Sequence, residues 1–249
     1  MDKLSYLPAS WPNQVANVSA VTTLIHGGVS KGSFSEFNLA AHVGDDVAAV
    51  KSNRAKLLAD LQLPSEPVWL EQVHSNKVLH LDEPASADFS AQADASVTTE
   101  KGVVCVVMTA DCLPIFFCDE AGCEVGVAHA GWRGLHAGII SNTVNAMQTP
   151  VEKIQVSLSA AIGPSNFEVG EEVFLAFVDK NPLNKIAFVE TKKNHYLCDI
   201  YQLARIELQS LGIDKIAGGE FCTYRDSQQF YSYRRQPVTG RMANLIWLR

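Results

Sequence analysis

Between residues 68 and 128 the sequence sets six short apolar runs one after another, and that pattern excludes a purely helical bundle. The runs cover 68–70, 77–81, 95–98, 103–109, 115–118 and 124–128, with turn-forming residues among those that separate them. They read as strands, and Asp119-Glu120-Ala121-Gly122 reads as the hairpin turn between the last two. Further strands are expected over 21–25, 154–159, 230–233 and 243–248. Asp45 and Asp46 can cap a helix that runs to about residue 61, with Val47, Val50, Leu57, Leu58 and Leu61 as its apolar stripe. Other helices are expected over 135–147, 170–178 and 199–211, the last between Asp199 as cap and Gly212 just past its end. Many central strands with helices between and around them predict a layered α/β (α+β) sandwich. No linker or internal repeat divides residues 1–249, so one domain is expected. Strict βαβ alternation and a Gly-x-Gly-x-x-Gly after the first strand are both missing, which disfavours a nicotinamide-binding Rossmann domain.

Composition narrows the function classes. The net charge of -7 argues against a nucleic-acid partner, which needs a basic footprint. The longest apolar run, 103–110, stops at Asp111, whereas a bilayer span takes ~20 residues, so no membrane association is expected. The first eight residues lack a basic stretch followed by an apolar one, and a cytoplasmic location is the expectation. Six cysteines without a Cys-x-x-Cys pair fit reduced thiols better than a disulfide scaffold or a zinc ribbon. Cys105, Cys118, Cys123 and Cys198 lie in or beside apolar runs and read as small buried hydrophobes. Arg54 falls on the apolar stripe of the first helix. It therefore needs a carboxylate, a phosphate or carbonyls around its guanidinium, either from an internal partner or in a pocket.

Three segments carry chemistry: Glu71-Gln72-Val73-His74-Ser75, Thr109-Ala110-Asp111-Cys112-Leu113-Pro114, and His129-Ala130-Gly131-Trp132-Arg133-Gly134. Each interrupts or ends an expected strand, where a rigid sheet can present ligands. Pro114 should halt ladder pairing beside Cys112. One thiolate and two imidazoles, from Cys112, His74 and His129, would make a Zn²⁺ shell with an open fourth position. The alternative is a Cys–His contact without metal, or unrelated buried residues. Glycines at a helix start beside Arg133 suit an anion such as phosphate, unless Trp132 packs and Arg133 pairs internally. Asp111 can serve as general acid or base, or orient a ligand histidine; in extended backbone it would face away from Cys112.

Gln72-Val73-His74, Ala110-Asp111-Cys112-Leu113-Pro114 and His129-Ala130-Gly131-Trp132-Arg133-Gly134 resemble the signature segments of the YfiH-like laccase-domain family. The resemblance extends through Asn38-Leu39 with His42-Val43-Gly44-Asp45, Asn53-Arg54, and Ala161-Ile162-Gly163-Pro164 with Phe167-Glu168-Val169-Gly170. It ends with Ser232-Tyr233-Arg234-Arg235 and Thr239-Gly240-Arg241. Ser165-Asn166 depart from it, since many members carry cysteines there. The resemblance implies a layered fold like the catalytic domain of cytotoxic necrotizing factor, and His74, Cys112 and His129 as zinc ligands. It also implies a zinc-dependent purine nucleoside phosphorylase (adenosine, inosine, methylthioadenosine) with adenosine deaminase activity.

On that reading Arg133 and Arg54 would hold phosphate, His42 or Asp111 would transfer a proton, and Gln72 and Asn38 would contact substrate. Copper-dependent polyphenol oxidation is a second reading, with Cu²⁺ at the same ligands. The seven histidines form no His-x-His, and no Cys, His and Met cluster closely together, as a blue-copper centre would want. A third reading is a hydrolase, with Cys112 as nucleophile or with zinc, editing a nucleotide-linked muramoyl amino acid. A zinc that only staples an interaction module is the non-enzymatic reading. The sequence carries no signal for oligomeric state.

Overall fold

The computed structural model describes residues 6–84 and 91–249. The N-terminal stretch 1–5, on which part of the leader reading rests, lies outside them. Two large sheets form the centre. One has five strands in the order Tyr6–Pro8, Val18–Thr23, Met242–Leu248, Val104–Thr109 and Val68–Trp69. The other has six: Ile216–Gly218, Ile154–Leu158, Leu113–Asp119, Val125–Ala130, Ala95–Thr98 and Val78–His80. Both mix parallel and antiparallel pairs.

The period-two alternation of the strands decides the layering. Cys105 and Val107 of the first sheet pack with Phe116, Cys118, Val125 and Val127 of the second, so the two sheets meet face to face. Val104 and Val106 point the other way, onto Leu57, Phe37 and Leu39. Ile115, Phe117, Val156 and Leu158 likewise turn outward from the second sheet, onto Ile139, Ile140, Phe177, Leu203 and Leu208. The result is four layers, helix–sheet–sheet–helix, with central strands apolar on both faces. That double burial is why the runs read as nearly continuous hydrophobic stretches.

The outer layers are α1 (Val47–Asp60) on one side and α2 (Trp132–Ala137), α3 (Ile139–Ala146), α4 (Glu171–Lys180) and α5 (Ile200–Ser210) on the other. Asp46 caps α1 by accepting from the Ala48 N–H, and Asp199 caps α5 by accepting from Gln202. Val47, expected on the buried stripe of α1, is exposed instead; it is the first helical residue, directly after the Asp46 cap.

The helix expected over 135–147 is two helices, broken by Gly138 at φ 91. That left-handed backbone ends α2 and starts α3. Residues 230–233 form no strand. The Tyr231 N–H goes to the Met242 sulfur and Gln236 bonds back to Ser232, so Phe230 and Tyr231 are core residues of a turn. Pro114 does not stop the ladder; it sits second in its strand, opposite His129. A small third sheet, Glu168–Gly170, His195–Cys198 and Phe188–Lys192, stands beside the site and was not anticipated. Among the cysteines expected to be buried, Cys123 is exposed. Asp119 Oδ1 holds its backbone N–H in the hairpin turn and leaves its side chain outward. Among the described residues no helix is long and apolar enough to cross a membrane.

Candidate metal centre and cavity

The three chemistry-bearing segments meet at one end of the two sheets. Val104–Thr109 belongs to the first sheet and Leu113–Asp119 to the second, so residues 110–112 carry the chain across. Asp111 makes the crossing at φ 91 and turns Cys112 inward. This is not extended backbone, so the opposite-faces argument does not apply. His129 is the penultimate residue of its strand, and His74, at φ 58, sits in the loop after Val68–Trp69. Two non-glycine residues in the left-handed region within one site is backbone strain that surrounding bonds must hold in place.

The donor atoms of His74, Cys112 and His129 all lie within 4.8 Å of one another. Cys112 Sγ is 3.9 Å from His74 Nε2, and the two imidazoles meet edge to face at 4.7 Å between centroids. Gly131 makes this approach feasible, because a Cβ there would lie 2.9 Å from Cys112 Sγ and 3.1 Å from His74 Cδ2. The glycine therefore clears space for the ligands, where the sequence had suggested an anion nest.

Asp94 organises the cluster, and sequence reasoning missed it. Its carboxylate is fully buried and accepts from five donors. Oδ1 takes His129 Nδ1 at 2.8 Å and the His74 N–H at 3.0 Å. Oδ2 takes the N–H of Val73 and Ser75 and the Ser75 hydroxyl. One carboxylate thus shapes the strained turn under His74 and fixes the tautomer and aim of His129, leaving Nε2 as the free donor atom. The signal was a lone acid one residue before an all-buried strand, 95–98.

The electrostatics follow. Burial would raise the Asp94 carboxyl, but the hydrogen bonds from His129 and Ser75 pull it down to about 2. Burial would also raise the Cys112 thiol; the charge of His129 and hydrogen bonds from both histidines reverse this and lower it. His129, which burial alone would lower, is raised by Cys112 and Asp94. A thiolate, a carboxylate-braced imidazole and an exposed second imidazole are the donors a borderline-soft divalent ion prefers, so the residues present fit such an ion.

Above them opens a cavity of about 440 Å³. Its walls include Trp132, Phe167 and Tyr233, and its cations are Arg133, Arg234 and Arg241, with His42 at the rim. Arg133 lies over Trp132 at 4.3 Å and Arg234 over Phe167 at 5.6 Å. Among the described residues none of these three guanidinium groups forms an ion pair with a carboxylate. Arg234 and Arg241 carry no signal beyond their place in the C-terminal motifs. Met108, four residues before Cys112, lines the same cavity as the three ligands.

Of the other expected site residues, His42, Gln72, Asp111 and Arg133 line the cavity; Asn38 and Arg54 do not. Asn38 is fully buried, and its amide bonds Ala40, Asp45 and the Arg241 N–H. Arg54 lies over the Trp69 ring at 3.8 Å and donates to the Leu39 carbonyl. This is the internal-partner alternative, with carbonyl and indole as the partners. Gln72 spends its amide on both backbone groups of Met108. Asp111 accepts from the Thr223 hydroxyl and the Arg234 N–H, and it is Asp94, not Asp111, that orients a histidine.

Residues 19–249 match the family described as multi-copper polyphenol oxidoreductase laccase. The chain belongs to this laccase-domain family. It is 49% identical over 238 residues to the purine nucleoside phosphorylase YfiH of Escherichia coli, covering 96% of each chain. A purine nucleoside phosphorylase of Pseudomonas aeruginosa is 46% identical over 245 residues, with 98% of each covered. Among solved structures, a Neisseria meningitidis protein of family DUF152 superposes with a TM-score of 0.91 at 43% identity, covering 98% of each chain. YlmD from Geobacillus stearothermophilus does so at 0.90 and 32%, covering all of both. The layered fold expected from the sequence is that of this family.

Proposed function

We propose that this chain is a metal-dependent purine nucleoside phosphorylase, with zinc as the ion. The supporting observation is the juxtaposition of a His74–Cys112–His129 donor set with a cavity that combines aromatic walls and three arginines whose guanidinium groups form no ion pair among the described residues. The names of the bacterial relatives point the same way. In phosphorolysis a phosphate oxygen bonds to the anomeric carbon as the bond to the purine nitrogen breaks, and the departing base takes a proton. Flat rings such as Trp132, Phe167 and Tyr233 suit a purine, and guanidinium groups suit phosphate.

His74, Cys112 and His129 would hold the ion, which supplies Lewis acidity when bound. Asp94 holds His129 and the His74 turn in place. Arg133, stacked on Trp132, would pack on the base or ribose, and His42 is the residue that remains to take a proton from a phosphate P–OH and pass it towards the departing base. Asp111, bonded to Thr223 and Arg234, would brace the strained crossing. An adenosine deaminase activity at the same site and a cytoplasmic location belong to this reading.

The test is release of hypoxanthine from inosine by protein stripped with chelator and then reloaded with zinc or copper, with and without phosphate. Phosphate-dependent release with zinc supports the proposal; no release with either metal overturns it. The paired Cys112 and His129, with Asp94 behind, also favour a second reading as a cysteine hydrolase. Activity that survives chelation and is lost to thiol alkylation would mark that chemistry.

A further inference from the structure

The cavity holds three arginines, but they are not equivalent. Arg133 and Arg234 are exposed, whereas Arg241 is half-buried. A guanidinium withdrawn from water with no carboxylate in ion-pair contact is costly; the charges of Cys112 and Asp111 offset part of that burial, and an arriving anion would offset more. Its surroundings hold it rigidly. Nη1 donates to the carbonyls of Thr239 and Gly240 at 2.8 and 2.9 Å, which leaves the other edge of the fork unspent. Its own N–H donates to Asn38 Oδ1 at 3.0 Å. Gly240 allows that approach, because a Cβ there would lie 2.6 Å from the Tyr231 ring and 3.0 Å from Asn38 Cβ.

The same Asn38 folds the neighbouring loop. Its amide accepts from the Ala40 N–H and donates to the Ala40 carbonyl and to Asp45, closing the segment that presents His42. Two functional groups from opposite ends of the chain are thus set by one buried amide. Arg241 and His42 are close enough that the arginine's charge, after burial and together with Arg54, holds the imidazole below its ordinary value. At neutral pH the ring is uncharged, and it can accept a hydrogen bond from a P–OH group while the guanidinium takes the anionic oxygens.

We propose that Arg241 and His42 form a preorganised oxyanion subsite for inorganic phosphate, with Asn38 as the residue that positions both. The ligand class is a tetrahedral phosphate, and the subsite gives a specific place to the phosphorolysis reading on which it rests. Arg133 and Arg54, given phosphate by sequence reasoning, are then not its principal holders.

The experiment titrates inorganic phosphate into metal-loaded protein by calorimetry, followed by KM measurements for phosphate and inosine. Arg241→Ala should weaken phosphate binding roughly tenfold to hundredfold, the range of a charge-assisted pair of hydrogen bonds. Arg241→Lys, which keeps charge and stem but loses the fork, should fall between it and the wild type and guards against misfolding. Asn38→Ala should raise the KM for phosphate more than it lowers kcat, which a purely structural role would not do. Arg133→Ala should leave phosphate affinity within about threefold. Unchanged phosphate binding in Arg241→Ala, equal loss in Arg133→Ala, or no phosphate binding by the wild type would each overturn the subsite. Loss confined to Arg241 and Asn38 variants, in a wild type that binds phosphate but leaves inosine intact, would uphold the subsite and sink the phosphorylase reading.

Discussion

Replacing Asp94 by asparagine removes one acceptor oxygen and almost no volume, so its effect can be worked out from the bonds. Oδ1 serves two donors and Oδ2 three. If the amide nitrogen takes the Oδ2 place, the N–H groups of Val73 and Ser75 lose their acceptor, while the Ser75 hydroxyl can rotate and accept. If it takes the Oδ1 place, His129 and the His74 N–H lose theirs. Either way two donors lose their acceptor, at about 1–3 kcal/mol each, so Asp94→Asn should cost about 2–6 kcal/mol in denaturant melts of metal-free protein.

The pH dependence carries a second signature. The folded carboxyl is depressed to about 2, so its contribution is complete above the unfolded value near ~4 and is lost as pH falls through the folded one. Wild type should therefore lose about 2 kcal/mol of its advantage over the variant between those pH values. Because Asp94 braces a proposed ligand, metal affinity measured against a chromophoric chelator should fall about 10–100-fold. A variant with wild-type stability and wild-type metal affinity would refute the role assigned to Asp94.

Other outcomes follow from the same geometry. Cys112→Ala should abolish both divalent-metal retention and phosphorolysis of inosine; full activity without metal would contradict the assignment. Gly131→Ala drives a methyl into Cys112 and His74, and should cost about 1–3 kcal/mol in a thermal melt together with a loss of metal affinity. Gln72→Ala unpairs both backbone groups of Met108 and should destabilise by about 2 kcal/mol in the same assay. The metal itself should bind more weakly as pH falls, because Cys112 must be deprotonated to ligate; a chelator competition series at stepped pH reads this directly.

Much of the fold was legible because its physics is local. Asp46, the helical spacing of Val50 and Leu57, and the doubly buried strands each declare themselves within a few residues. The three-stranded sheet did not, since its strands are short and Val189, Glu190, Thr191 and Lys192 are all exposed, which leaves no alternation to read. Phe230 and Tyr231 misled in the opposite direction: aromatic residues typical of strands fill a core from a turn whose backbone bonds go elsewhere. At the site, residue chemistry brought forward His74, Cys112 and His129, and the structure brings them together. Asp94 and Arg241 were harder to see. Their importance lies in what converges on them from distant segments, namely the 73–75 turn and His129 for the one and Asn38 for the other. Asn38 looked like a substrate contact for the same reason: a polar side chain in a motif says nothing of which way it points.

The central claim is that one divalent ion sits between His74, Cys112 and His129. Equilibrium binding of zinc to chelator-stripped protein, compared with His74→Ala, Cys112→Ala and His129→Ala, tests it most directly. The account predicts one ion per chain in the wild type and loss of that site in each variant. Wild-type stoichiometry and affinity in all three would contradict it.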